Sequence, residues 1–466
     1  MKIKIEGGIL YDSKNGINGE QRDIFIDDGI IVDGFSKPDK TIHAKSKTIM
    51  AGGIDIHSHI ATYGLNLLRA THGFYLPREI GHIYAKMGYT HVNEPFMTQY
   101  TASYVHHELS SIPIVDTSAF LVLNIKDLDR KIKSTRYIEE VERIIPVIMS
   151  RAKAIGLKIY EPFVRYAQRM YIMKNVKASK VLSFFSGMNK ENIPRIILHS
   201  SSGLFKEEIE NPSLFHFSHI GSTLEDEDAY NKVLTYLDEG ASADLGLFDF
   251  EENTRISTGR FTDYTFCGVV DMDFSEPISF SQGKIHDLTP PFLTLKLALS
   301  EPNKHISFSS DSPTNAIFES YPKILSWLMS IDNRKDLFKR DLPDFEYTLF
   351  DIARVTRQNP ADILGLSNKG HLGVGAQADI AIYDIHNGTK ANELESRFKE
   401  CAYLIKSGEV VIEDHRIINN RIEKNTYFKG VEPCNDGSAK ELAKYSTFRF
   451  EHLFVEDVFT AKEVKV

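Results

Sequence analysis

Cysteine is scarce in this 466-residue chain: Cys267, Cys401 and Cys434 are the three, far apart and without CxxC spacing. That excludes a disulfide framework and a thiolate zinc site, and it fits a reducing compartment. No uninterrupted apolar run is long enough to cross a bilayer, so no membrane protein is expected. Nor is there a basic block: 55 Lys and Arg face 64 Asp and Glu, a formal charge of −9, which leaves nothing to recruit nucleic acid. The opening Met1-Lys2-Ile3-Lys4-Ile5-Glu6 alternates polar and apolar like a strand and lacks the apolar core of an export signal. A cytoplasmic location and a small-molecule or protein partner are therefore expected.

What is present is the composition of a globular protein, 42% hydrophobic and 26% charged, long enough for one large domain and one smaller one. Short alternating runs at residues 2–6, 23–26, 30–35 and 41–49 predict a small antiparallel sheet, with Asp27-Asp28-Gly29 as a hairpin turn. The same texture returns at 378–384, 402–405 and 410–412. Two β-rich ends around a mixed middle predict one discontinuous β domain built from residues 1–50 and 375–466, with residues 51–374 as the larger domain. In that middle, strand-like runs at 88–92, 112–123, 156–159, 194–199, 214–219, 243–248 and 305–309 alternate with helix-like ones such as 134–155 and 321–329. This is the α/β order of a (β/α)8 barrel or a doubly wound sheet. The glycine-rich run 370–375 lacks the strand-loop-helix setting of a nucleotide site and reads as a turn into that β domain. Trp327, the one tryptophan, lies in an amphipathic stretch where core packing is its expected role. The stretch from Asn425 onward shows no clear pattern.

Residues 49–59, IMAGGIDIHSH, read as an apolar strand whose end carries His57 and His59. Residues i and i+2 of a strand share a face, so the two imidazoles can meet one metal. An isolated pair more often only hydrogen-bonds. Here, however, Lys158, His199, His219 and Asp311 stand at or just past the ends of later strand-like runs, and the C-terminal strand ends of a parallel barrel share one face. Six such residues suit two divalent ions, and histidine-rich ligation favours zinc. Such a pair also needs a bridging anion. The neutral amine of a buried Lys158 can react with CO2 to give a carbamate that would serve. Asp311 can ligate and also carry a proton from water to a leaving amine. Glu94, after the 88–92 run, and Arg260, suited to an acidic group, are the substrate-binding candidates, and for Glu94 a solvated role or one behind the ligands is an equal alternative.

These residues, in this order, resemble the amidohydrolase superfamily. Within it, residues 80–89 (IGHIYAKMGY), 112–121 (IPIVDTSAFL), 318–329 (FESYPKILSWLM) and 369–384 (KGHLGVGAQADIAIYD) are similar to the A subunit of formylmethanofuran dehydrogenase and its formyltransferase/hydrolase-complex relatives. The resemblance implies a metal-bearing (β/α)8 TIM-type barrel flanked by a small β-sandwich from both chain ends. It implies His57 and His59 on a first zinc ion, carboxylated Lys158 as bridge, His199 and His219 on a second, and Asp311 as ligand and proton carrier. The implied chemistry is hydrolysis of a formamide C–N bond, or formate–amine condensation, in one-carbon metabolism and in company with further subunits of a formylmethanofuran dehydrogenase-type complex. The runs that follow the ligands, at residues 159–163, 200–204 and 312–316, depart from the family pattern, so metal chemistry carries over further than methanofuran does. Two alternatives stay open: a stand-alone hydrolase of cyclic or linear amides, like a dihydroorotase or hydantoinase, and a catalytically inactive scaffold subunit.

Overall fold

The computed structural model describes residues 1–62, 65–66, 69–70, 73–122, 138–160, 182–183, 185–186, 196–199, 208–249, 253–258, 278–283, 287–313, 315–386, 388–429, 455 and 462–465. Parallel strands follow one another in chain order: β1 (Gly53–Asp55), β2 (Tyr89–Thr98), β3 (Asp116–Val122), β4 (Gly156–Tyr160), β5 (Ile196–His199), β6 (Phe215–Phe217), β7 (Ser242–Asp244) and β8 (Ile306–Ser307). Each pairs with the next. The ring closes where Ser58, past β1, bridges Ser312, past β8, and the His59 N–H donates to the Ser312 carbonyl at 2.8 Å. This is the TIM-type barrel, one of the two architectures the alternation allows and the one the resemblance implies. Strands covered on both faces must be apolar throughout, and β3 is buried at every position.

Helices Pro77–Lys86, Ala102–Ser111, Ile138–Arg151, Glu227–Asp238, Thr289–Ser300 and Tyr321–Met329 fall between or after these strands. Their starts are legible locally. Pro77 takes the first turn, where its missing N–H leaves no bond unmade. Asp226 caps its helix by accepting the Ala229 N–H at 2.8 Å. The core runs from Ile80 and Tyr84 through Leu121, Leu157, Leu198 and Phe217 to Leu297, and Trp327 packs into it. Among the described residues, no helix is long and apolar enough to cross a membrane. Cys401 is a buried free thiol; Cys267 and Cys434 lie outside the described residues.

Both chain ends meet in a nine-stranded mixed sheet. Its seam is the antiparallel pairing of Thr48–Ala51 with Ile380–Tyr383. Ile3, Ile5, Ile26, Ile49, Ile380 and Ile405 fill its own core. The hairpin at Asp28 and Gly29 has φ of 46° and 82°, the left-handed pair that a tight two-residue turn requires. The patternless stretch takes a different place. Asn425–Phe428 pairs in parallel with Lys462–Lys465, and Thr426 pairs with Thr117 at the start of β3. It thus extends the barrel sheet rather than the terminal one, occupying the edge that β4 leaves open until Phe120.

The single strand expected over 49–59 is divided. Thr48–Ala51 belongs to the terminal sheet and Gly53–Asp55 to the barrel. Gly52 and Gly53 make the crossing because β2 is too close for a side chain. A Cβ on Gly53 would stand 2.7 Å from the Tyr89 ring, and one on Gly52 would stand 2.2 Å from Thr90 Oγ1.

Where barrel and terminal sheet join, Lys369, Lys406, Asp116 and Asp379 are all buried. Asp116 Oδ2 lies 2.8 Å from Lys369 Nζ and 3.0 Å from Lys406 Nζ; Asp379 bonds Lys369 and lies 3.5 Å from Lys406. The Asn425 N–H adds a bond to Asp116 Oδ1 at 2.7 Å. Burial alone would raise the Asp116 carboxyl, but the two ammonium groups hold it well below its ordinary value of 3.8.

Candidate metal centre

β1 ends at Asp55, so His57 and His59 stand on the segment leaving the strand rather than within it. They converge all the same. His57 Nε2 lies 3.2 Å and His59 Nε2 3.3 Å from Asp311 Oδ1. One donor atom from each of His57, His219 and Asp311 falls within 4.8 Å of the others. His219 Nε2 in turn approaches His199 Nδ1 to 2.5 Å. Lys158 is fully buried on β4 and close enough that its charge is felt at both His199 and His219. Five of the six predicted ligands thus come together by direct approach, with Lys158 beside them.

Backbone strain is concentrated at the same place. His219 has φ of 31° and Asp311 φ of 50°, left-handed values that cost a non-glycine residue on the order of 1–3 kcal/mol. Leaving the ladder in this way turns both side chains inward from positions just beyond short strands. Gly246, after β7, permits the His219 turn: a Cβ there would stand 2.6 Å from His219 Cβ.

The donor set suits divalent cations. Neither ring nitrogen of His57 nor Oδ1 of Asp311 makes a well-formed hydrogen bond, although all three are buried; buried polar atoms are ordinarily paired. Burial, with Lys158 nearby, keeps His199 well below the usual histidine range, and burial does the same to His219, so both present lone pairs. Burial opposes a charge on His59, but the Asp311 and Glu94 carboxylates outweigh it and lift His59 to about 9. Burial would likewise raise Asp311, yet the histidines around it hold it well below the carboxylate range. An ionised carboxylate beside the neutral imidazoles of His199 and His219 is the chemistry of a zinc-type site.

Residues 291–412, which span β8, Asp311 and the return to the terminal sheet, match the amidohydrolase family. Protein FwdA of Methanocaldococcus jannaschii is 26% identical, over 90% of this chain and 89% of that one. The A subunit of the formyltransferase/hydrolase complex Fhc of Methylorubrum extorquens is 25% identical, again over 90% and 89%. Among solved structures, a chain of the formyltransferase/hydrolase complex FhcABCD from Methylorubrum extorquens, in complex with methylofuran, superposes with a TM-score of 0.81 at 21% identity, covering 100% of this chain and 99% of that one. The matches support a metal-dependent hydrolase similar to the amidohydrolases.

Around this centre, inward imidazoles from the ends of β1 and β6 are held from behind. Glu94, a substrate-binding candidate in the sequence, is fully buried and turned to this task. Its Oε1 lies 3.2 Å from His59 Nδ1 and accepts the Thr62 hydroxyl at 2.6 Å, while Oε2 accepts the Ile60 and Ala61 N–H groups at 2.9 and 2.7 Å. Its acceptor positions are taken up by the chain itself, which leaves it no free side for a substrate. Arg260 lies outside the described residues. Sequence reasoning missed Ser222, whose hydroxyl lies 2.8 Å from His219 Nδ1, and Asp244, the last residue of β7. Asp244 stood at a strand end like the residues that were singled out; serine hydroxyls carry no such signal.

Proposed function

We propose that the chain hydrolyses the C–N bond of a formamide, or forms that bond from formate and an amine, at a dinuclear zinc centre. The observation that carries this is the convergence of His57, His59, His199, His219 and Asp311, with Lys158 buried beside them. His57 and His59 would hold one ion, His199 and His219 the other, with carboxylated Lys158 between them and Asp311 on the first. Such ions, when bound, supply Lewis acidity to the amide carbonyl and to a water molecule. The chain supplies proton traffic: the Asp311 carboxylate takes the proton of the attacking water and returns it to nitrogen as the C–N bond breaks. The neutral His199 and His219 stay donors throughout, because burial disfavours their protonation.

The formyl group is favoured as the acyl substrate by the similarity to the A subunit of the formyltransferase/hydrolase complex Fhc, aligned over 90% of this chain. Because the structural relative was determined as the multi-subunit complex FhcABCD, we propose that this chain also works with other subunits. The test is formate release from N-formyl primary amines, against matched N-acetyl amines and a hydantoin, by protein supplied with zinc and bicarbonate. Formate release with little turnover of the other two supports the assignment. Preferred hydantoin opening replaces it with a cyclic amidase, and no turnover of any by zinc-loaded protein leaves a scaffold without activity.

A further inference from the structure

We propose that Asp244 is a positioning residue that sets which nitrogen of His57 faces the metal and locks together the segments carrying the site; this rests on the metal assignment above. Asp244 is fully buried. Its Oδ1 accepts the backbone N–H of His219 at 2.8 Å and the hydroxyl of Ser309, two residues before Asp311. Its Oδ2 accepts from His216 Nε2 at 3.0 Å and lies 3.4 Å from His57 Nδ1. One carboxylate therefore reaches the segment after β1, strand β6 and its turn, and the segment after β8.

Donor counting gives the consequence. An ionised carboxylate only accepts, so the ring nitrogens facing Asp244 are those that carry hydrogen. For His57 this leaves Nε2 with the lone pair, and Nε2 is the nitrogen aimed at Asp311. The same division recurs at His59, with Nδ1 beside Glu94, and at His219, with Nδ1 beside Ser222. Outer partners of this kind fix the tautomer of a ligating imidazole. Asp244 has a second task, because the N–H it accepts belongs to His219 in its costly left-handed conformation.

Asp244→Asn isolates the tautomer effect at nearly constant shape. The His219 N–H cannot change, so the amide oxygen stays on that side and the amide N–H2 meets His57 and His216. His57 must then offer its Nδ1 lone pair to the amide and turn Nε2–H toward the site. Zinc affinity, measured by competition with a chromophoric chelator, is expected to fall about 10- to 100-fold, and zinc-edge absorption should show fewer imidazoles per ion. Unchanged affinity overturns the proposal, as does a lower Tm of the metal-free protein with affinity intact. His57→Asn separates the two layers: weak binding there with tight binding by Asp244→Asn retains the metal assignment and removes this inference, whereas a wild type that binds no zinc removes both. Should Asp244→Asn not fold, the 15N shifts of His57 in zinc-loaded wild type, assigned by their loss in His57→Asn, decide. Hydrogen on Nδ1 agrees, and hydrogen on Nε2 overturns the proposal.

Discussion

Asp311→Asn is expected to fold and yet release formate from the best N-formyl amine about 10³-fold more slowly, or not at all. The asparagine oxygen is neutral and cannot take the proton of water, and general acid–base catalysis alone is worth roughly 10²- to 10⁴-fold. Loss of charge beside His57 and His59 also weakens the hold on a cation, since Asp311 Oδ1 is the atom both Nε2 groups approach. The check is kcat/KM alongside circular dichroism and Tm. The left-handed φ of 50° at Asp311 is compatible with asparagine, which tolerates that region better than most residues, so misfolding is not the expected cause of lost activity. Retention of most activity by the folded variant would remove Asp311 from the proton path.

The second large effect lies away from the chemistry. Asp116→Asn leaves the buried ammonium groups of Lys369 and Lys406 with Asp379 as the remaining carboxylate of their cluster, and breaking a buried ion pair from one side costs about 3–5 kcal/mol. Denaturant unfolding of the variant should show that loss. The pH dependence has a definite sign. The folded Asp116 carboxyl is depressed below its ordinary 3.8, so its stabilisation is complete above about that pH and is lost as the pH falls toward the folded value. In wild type, stability therefore falls below pH 3.8 through this group; in Asp116→Asn that component of the acid dependence should vanish. A variant as stable as wild type would mean that the cluster contributes nothing net.

Much of this architecture is legible along the chain because barrel strands are buried on both faces and so read as short apolar runs, as in residues 196–198 ahead of His199. The ligand residues are legible for a related reason: a lysine, histidine or aspartate at the end of such a run is conspicuous. What local pattern does not carry is where a ladder stops. The apolar run 49–56 continues across two different sheets, and only the contacts of Gly52 and Gly53 with β2 reveal the division. Asn425–Phe428 was illegible for the converse reason, since its pairing with β3 is fixed by a partner some three hundred residues away and by Lys424, which caps the carbonyls of Leu109 and Ser110. The residues behind the ligands were hardest to see. For Glu94 the sequence leaves a substrate contact and a place behind the ligands both open, because it shows that a carboxylate ends up near the site but not which way it faces.

The most direct measurement is zinc per chain by elemental analysis, on protein purified without chelator and supplied with zinc and bicarbonate. A dinuclear centre bridged by carboxylated Lys158 gives about two equivalents, and Lys158→Ala should fall to one or none. A wild type that holds a single equivalent, or none, has no dinuclear centre, and equal zinc content in Lys158→Ala would exclude Lys158 as the bridge.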